Sequence, residues 1–130
     1  MTLRFRFFGK VADGKMRMVS ADCIDFENRF IYYSYRSYTA EGDVYEDGDC
    51  IGFEDCVLMQ STELFDKNGK EIFEGDVVRM HSGELLPVKL HHGMFEPVCY
   101  YISNVYEGVG NVFENPELLE HPDFREETND

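Results

Sequence analysis

The stretch Asp66–Val78, DKNGKEIFEGDVV, sets an Asn-Gly pair and a Gly-Asp pair on either side of a short β-prone run. Asn68-Gly69 is the strongest short-range hairpin signal, because both residues tolerate the positive φ that a type I′ turn or a bulged loop requires. Glu71 to Glu74 then reads as the outgoing strand, with Ile72 and Phe73 on opposite faces and one of them buried. Gly75 permits a sharp bend, and the Asp76 side chain can hydrogen-bond the backbone of that bend. Val77, Val78 and Met80 resume as a strand. A strand, a Gly-Asp corner and a second strand are what a small, strongly bent antiparallel barrel or sheet needs where the chain turns. Asn68, Gly69, Gly75 and Asp76 are therefore structural turn residues.

The segments on either side extend this β reading. Leu3, Phe5 and Phe7 alternate with Arg4 and Arg6, and Met16 and Met18 alternate with Lys15 and Arg17, around an Asp13-Gly14 turn. A pairing of Phe5 with Met18 and Phe7 with Met16 makes one face of this N-terminal hairpin apolar. Arg4, Arg6, Lys15 and Arg17 then share the other face, where like charges repel. Cys23 to Tyr38 is an aromatic, β-rich run with Ile31, Tyr33 and Tyr35 on one face. The acidic, Gly-rich residues that follow read as a turn, a short strand and a loop. Their Glu41-Gly42-Asp43-Val44 echoes Glu74-Gly75-Asp76-Val77, too short a match for an internal repeat.

Cys56 to Ser61 is apolar enough for a strand or a helical turn, Pro87 to Leu90 suits an edge strand, and Val98 to Val105 and Val109 to Phe113 read as strands. Asn115 and Pro116 then predict a short C-terminal helix. The expected fold is mainly β, a β-rich α+β chain. An N-terminal β lobe spans 1–57, a small barrel-like lobe with its short helix spans 58–120, and a frayed tail spans 121–130, all within one compact domain.

Charge narrows the functional classes. The chain carries 12 Lys and Arg against 26 Asp and Glu, a net charge of -14. That excess keeps a protein soluble and repels phosphate, so duplex DNA and anionic membranes are disfavoured as partners. Residues 1–36 nevertheless hold seven Lys/Arg and four Asp/Glu, which makes the N-terminal segment a basic patch on an acidic protein. Its four charges make a candidate interface for self-association. The cysteines Cys23, Cys50, Cys56 and Cys99 show no metal-binding spacing, and MTLRFRFF lacks the continuous apolar stretch of a secretory signal. A cytoplasmic protein with free thiols is expected.

Two motifs carry a family likeness. LMQSTELFDKNGKEIFEGDVV (Leu58 to Val78) and VGNVFENPELLE (Val109 to Glu120) resemble the YopX family of phage and prophage proteins in content, order and separation, and LRFRFFGKVADGKM (Leu3 to Met16) resembles its N-terminal strand and turn more loosely. The family pattern has Thr-Gly-Leu-x-Asp before the Asn-Gly turn, and here Glu63 stands in the place of that glycine. The resemblance implies a β-rich, prophage-borne cytoplasmic protein and no activity, so no residue role carries over.

No constellation of chemistry-bearing residues rises above its structural reading. His91, His92 and Cys99 lack a second pair at zinc spacing and read as surface turn residues. Asp43, Glu46, Asp47 and Asp49 share a Gly-rich segment, 41–49, without EF-hand spacing, and read as a solvated acidic loop in preference to a calcium site. Nucleophile and phosphate-loop motifs are absent. Tyr32, Tyr33, Tyr35, Tyr38, Tyr100 and Tyr101 exceed the needs of a core. They suit an interface better than stacked single-stranded bases, because only Arg29 and Arg36 lie near them. The sequence thus favours a non-enzymatic module that binds a host or phage protein, with no cofactor. The alternative is a hydrolase using clustered carboxylates in a cleft.

Overall fold

The computed structural model describes residues 4–120, which are mainly β, with 3-10 turns and no α-helix among them. The chain divides into two units, Arg4–Leu58 and the residues from Met59 onward. Strand β6 (Cys56–Phe65) runs from the first into the second.

In the first unit β1 (Phe5–Lys10) and β2 (Met16–Ser20) form an antiparallel hairpin. A second sheet orders β3 (Cys23–Asp25), β4 (Phe30–Tyr38) and β5 (Val44–Gly52) as β3-β4-β5. The alternation in FIYYSYRSY does what a period of two dictates. Ile31 and Tyr33 are buried with Phe7 and Ile51, while Phe30, Tyr32 and Tyr38 are exposed. Phe7 meets Tyr33 edge-on at 5.3 Å, the geometry that ring quadrupoles prefer.

In the second unit β6 pairs with β7 (Glu71–Phe73), β8 (Asp76–Met80) lies between β12 (Tyr106–Asn111) and β9 (Leu85–Pro87), and β10 (Lys89–His91) pairs with β11 (Met94–Glu96). These ladders curl as an open half-barrel and do not close. Ile72, Val78, Met80, Val88, Val98 and Tyr106 form the main core of this unit.

One loop type recurs at Val11–Lys15, Thr39–Asp43, Asp66–Lys70 and Met80–Glu84. In each, the first residue's N–H donates to the fifth residue's carbonyl, and its own carbonyl accepts from the fourth residue's N–H. That fourth residue is always glycine, at φ between 80° and 91°. This is the three-residue hairpin loop, a type I turn closed by a left-handed residue. The expected Asn68-Gly69 turn is therefore the bulged form, and Ile72 is the buried residue of the outgoing strand. At the Gly75-Asp76 corner Gly75 has φ 90°, and the Asp76 carboxylate accepts the Phe73 N–H at 2.8 Å. Residues 41–44 and 74–77 thus share a left-handed glycine, one in a hairpin loop and the other in a corner.

Several expectations are corrected. The N-terminal hairpin pairs Phe7 with Val19, Phe8 with Met18 and Gly9 with Arg17, because the Val11–Lys15 loop sets Lys10 opposite Met16. Changing the parity of a register moves side chains to the other face. Arg4 and Arg6 therefore lie on the Met16 and Met18 face, and Arg17 on the face of Phe7 and Val19. Residues 44–52 form a nine-residue strand where a short strand and a loop were expected, held by pairing along the whole of β4.

Val98–Tyr100 and Ser103–Val105 are 3-10 turns, not a strand. Pro97 adopts helical angles there, and the Tyr101 N–H closes back on the Val98 carbonyl. The C-terminal helix is likewise only a 3-10 turn, Pro116–Glu120. Asn115 spends its side-chain oxygen on the Asn111 N–H instead of capping the segment that follows. The 121–130 tail lies outside the described residues.

Candidate functional site

The surface richest in unexplained features is the β4–β5 hairpin of the first unit. Ladder parity decides what its two edges present. Phe53 N–H donates to the Arg29 carbonyl and Thr39 N–H to the Asp43 carbonyl, both 3.0 Å, so odd-numbered residues of the two strands exchange hydrogen bonds. Even-numbered residues then direct N–H and C=O outward.

On β5 two of those outward N–H groups are covered from within. Gly48 N–H donates to Asp47 Oδ1 and Cys50 N–H to Asp49 Oδ1, each at 2.8 Å. Two of the four acids expected in a solvated loop, Asp47 and Asp49, thus blunt an exposed edge strand, which is one way sheets avoid edge-to-edge pairing. Asp47 and Asp49 stand on one face opposite Tyr35 and Tyr33, while Glu46 is on the other face opposite Arg36.

The outer edge of β4 differs. Tyr32's carbonyl accepts the Asp22 N–H at 2.8 Å, and β3 pairs only with Phe30–Tyr32. Beyond it, the backbone groups of Ser34, Arg36 and Tyr38 that point away from β5 have no partner among the described residues. Beside this edge lies a cleft of 460 Å³, lined by Val11, Val19, Arg17, Tyr35, Arg36 and Tyr38 among others. Arg17 bridges to Asp13 at 2.6 Å, an ion pair that holds the Asp13 carboxyl below its usual range and raises Arg17. Arg36 makes no ion pair among the described residues.

The predicted tyrosines divide between the units. Tyr32, Tyr33, Tyr35 and Tyr38 belong to β4, whereas Tyr100 and Tyr101 are exposed in the second unit. Tyr33 is structural: its hydroxyl accepts the Ala12 N–H at 3.1 Å. Burial first, and Asp49 second, push its hydroxyl pKa up. Burial, Asp47 and Asp49 do the same to Tyr35. Tyr32 and Tyr38 are exposed, sharing a face with Phe30 and Val44.

The other candidates have local roles. His92 sits in a two-residue turn with Gly93, both at positive φ, so the His91 and His92 rings stack at 3.9 Å instead of pointing to opposite faces. His91 Nδ1 lies 2.8 Å from Glu96 Oε1, and Cys99 is exposed in a 3-10 turn.

Asp66, which the sequence reading passed over, is a well-connected carboxylate of the second unit. It is 3% exposed and accepts the N–H groups of Asn68, Lys70 and Gly108. It therefore ties the Asn68-Gly69 loop to β12. Burial pushes its pKa up, but those three donors and the Lys70 charge outweigh burial and hold it below the usual range. Its place in an Asp-x-Asn-Gly loop was the available signal, since such a residue accepts the loop's own N–H groups.

Ser61–Leu64 is a bulge in β6, with Glu63 at φ 63°. Ser61 Oγ accepts the Glu63 N–H and Thr62 Oγ1 accepts the Leu64 N–H, so two hydroxyls satisfy the bulged backbone.

A mainly β fold in two units, joined by one long bulged strand, defines the class. The sequence model of the YopX protein family matches residues 4–120, and the chain belongs to that family. A solved structure, protein EF1440 from Enterococcus faecalis, is similar at a TM-score of 0.62 and 25% identity, over 92% of this chain and 99% of that one. No curated protein matches the chain. Among the described residues no helix is long and apolar enough to cross a membrane.

Proposed function

We propose that the protein is a non-enzymatic accessory module of phage or prophage origin that acts in the cytoplasm and binds another protein through the β4–β5 hairpin. One observation carries this reading: Phe30, Tyr32, Tyr38 and Val44 share an exposed sheet face with the polar residues Ser34, Arg36 and Glu46. Aromatic residues in that setting supply large contact area at small entropic cost, the composition of a protein interface. The net charge of -14 argues against nucleic acid on the same face. A carboxylate hydrolase would need convergent, unengaged acids, whereas Asp47 and Asp49 are each bonded to the following N–H along an exposed strand. We assign no catalytic residue, cofactor or metal. Self-association near Arg4, Arg6, Lys15 and Arg17 belongs to the proposal in weaker form, because the observed register divides these charges between the two faces of the hairpin and Arg17 is already compensated by Asp13.

The test is capture of partners from host cells during prophage induction, comparing the parent with a Tyr32→Ala/Tyr38→Ala variant. The expected result is a protein retained by the parent and lost by the variant. Identical capture by both would refute a partner site on this face.

A further inference from the structure

We infer that the outer edge of β4, Ser34–Tyr38, receives an added β-strand from a partner protein, an extended segment with a carboxylate side chain facing Arg36. The inference rests on the protein-binding reading and specifies how the partner is held.

The two edges of one hairpin are treated differently. The β5 edge is blunted by Asp47 and Asp49, which occupy the N–H groups of Gly48 and Cys50. The β4 edge carries no such device. Its outward N–H and C=O groups recur at Ser34, Arg36 and Tyr38, every second residue, which is the spacing an incoming strand needs. Ser34 Oγ donates to Asp22 Oδ2 at the inner end, so the open edge begins where β3 stops.

Strand addition also needs seats for alternate side chains. The adjoining cleft provides 460 Å³, with Val11, Val19, Tyr35 and Tyr38 in its lining. Charge then selects the occupant. Arg17 is neutralised by Asp13, whereas Arg36, with Glu46 opposite it across the β4–β5 ladder, makes no ion pair among the described residues and is the cation left to meet an incoming carboxylate.

A second copy of this chain is a poor occupant. Two β4 edges paired about a two-fold axis would bring Arg36 toward its own counterpart, and a copy's β5 edge has two of its donors already spent. With a copy's β4 and β5 edges both disfavoured, the occupant inferred is a segment of a different protein.

The probe is a set of peptides selected from a random display library against the whole protein. Selected peptides are expected to alternate apolar and polar positions and to share an acidic residue. Their binding should slow hydrogen exchange at the Ser34, Arg36 and Tyr38 amides. Methylating a peptide backbone nitrogen that faces the edge should weaken binding about two- to tenfold per blocked bond, while methylating its outward neighbours should not. Arg36→Glu should switch selection from acidic to basic peptides. An empty selection, protection confined to β5 or to the second unit, indifference to N-methylation, or displacement by a single-stranded oligonucleotide would each overturn strand addition. Partner capture that still depends on Tyr32 and Tyr38 alongside any of these results would leave the protein-binding reading standing.

Discussion

Replacing Glu63 with glycine should stabilise the protein, and the size of the effect follows from its backbone. Glu63 sits at φ 63° in the β6 bulge, where Cβ crowds the following carbonyl. Holding a non-glycine residue there costs roughly 1–2 kcal/mol. Glu63 Oε1 is also buried with no hydrogen-bond partner among the described residues. Removing it recovers part of a desolvation penalty of about 1–3 kcal/mol, the lower part because the residue is only half-buried. Against these gains, glycine loses about 0.5–1 kcal/mol more backbone entropy on folding. The balance is a gain of roughly 0.5–2 kcal/mol, read as a higher urea midpoint at unchanged slope and a melting temperature raised by about 2–8 °C. Glu63→Ala removes the oxygen and keeps Cβ, so it separates strain from desolvation and should gain less than glycine. A Glu63→Gly variant that melts at or below the parent would show that the bulge is not strained and that the Glu63 side chain contributes net stability.

Ile72→Ala should cost about 2–5 kcal/mol in urea unfolding, since Ile72 is fully buried in the second unit's core. Gly69→Val should also destabilise, because a β-branched residue resists the φ of 80° at that position; parental midpoints for both would refute the hairpin's role. The depressed Asp66 pKa stabilises the fold at pH values above the ordinary carboxylate pKa of about 3.9, and this contribution is lost as pH falls through the folded pKa. Asp66→Asn should therefore lower the urea midpoint at neutral pH and converge on the parent in acid, whereas a constant gap across pH would remove the charge from the argument. The protein should not shift duplex DNA in a mobility assay at physiological salt, given its net charge of -14. Sedimentation equilibrium at low and high salt tests the N-terminal charges: a salt-sensitive oligomer is expected, and a monomer under both conditions would rule that interface out.

Where the sequence reading missed, partners remote in sequence outweighed local signals. Residues 41–49 carry glycines and acids that depress strand propensity, yet Val44–Gly52 pairs residue for residue with the tyrosine-rich β4. Val98–Val105 has strand-like composition, but the turn begun at Pro97 gives the segment no ladder to join. The register of β1 and β2 depended on the loop type at Val11–Lys15, and the Asp13-Gly14 signal alone leaves that type open. Of the candidate site, Tyr32, Tyr38 and Arg36 were visible as residue types. The edge they border was not, because an edge exists only once strand order is known.

The sequence by itself determined the β class, the family likeness, the alternating burial of β4 and the glycine-closed loops. These follow from local rules: side chains alternate along a strand, and a left-handed position wants glycine. The family likeness marked Glu63 as standing at a glycine position, but tertiary structure alone decided that it keeps a positive φ there, that Asp66 gathers N–H groups from its own loop and from β12, and that Asp47 and Asp49 guard one edge of a hairpin whose other edge stays open among the described residues. Each of these depends on which strand lies beside which and in what register, and hydrogen-bond parity between segments distant in the chain is not written in either segment alone.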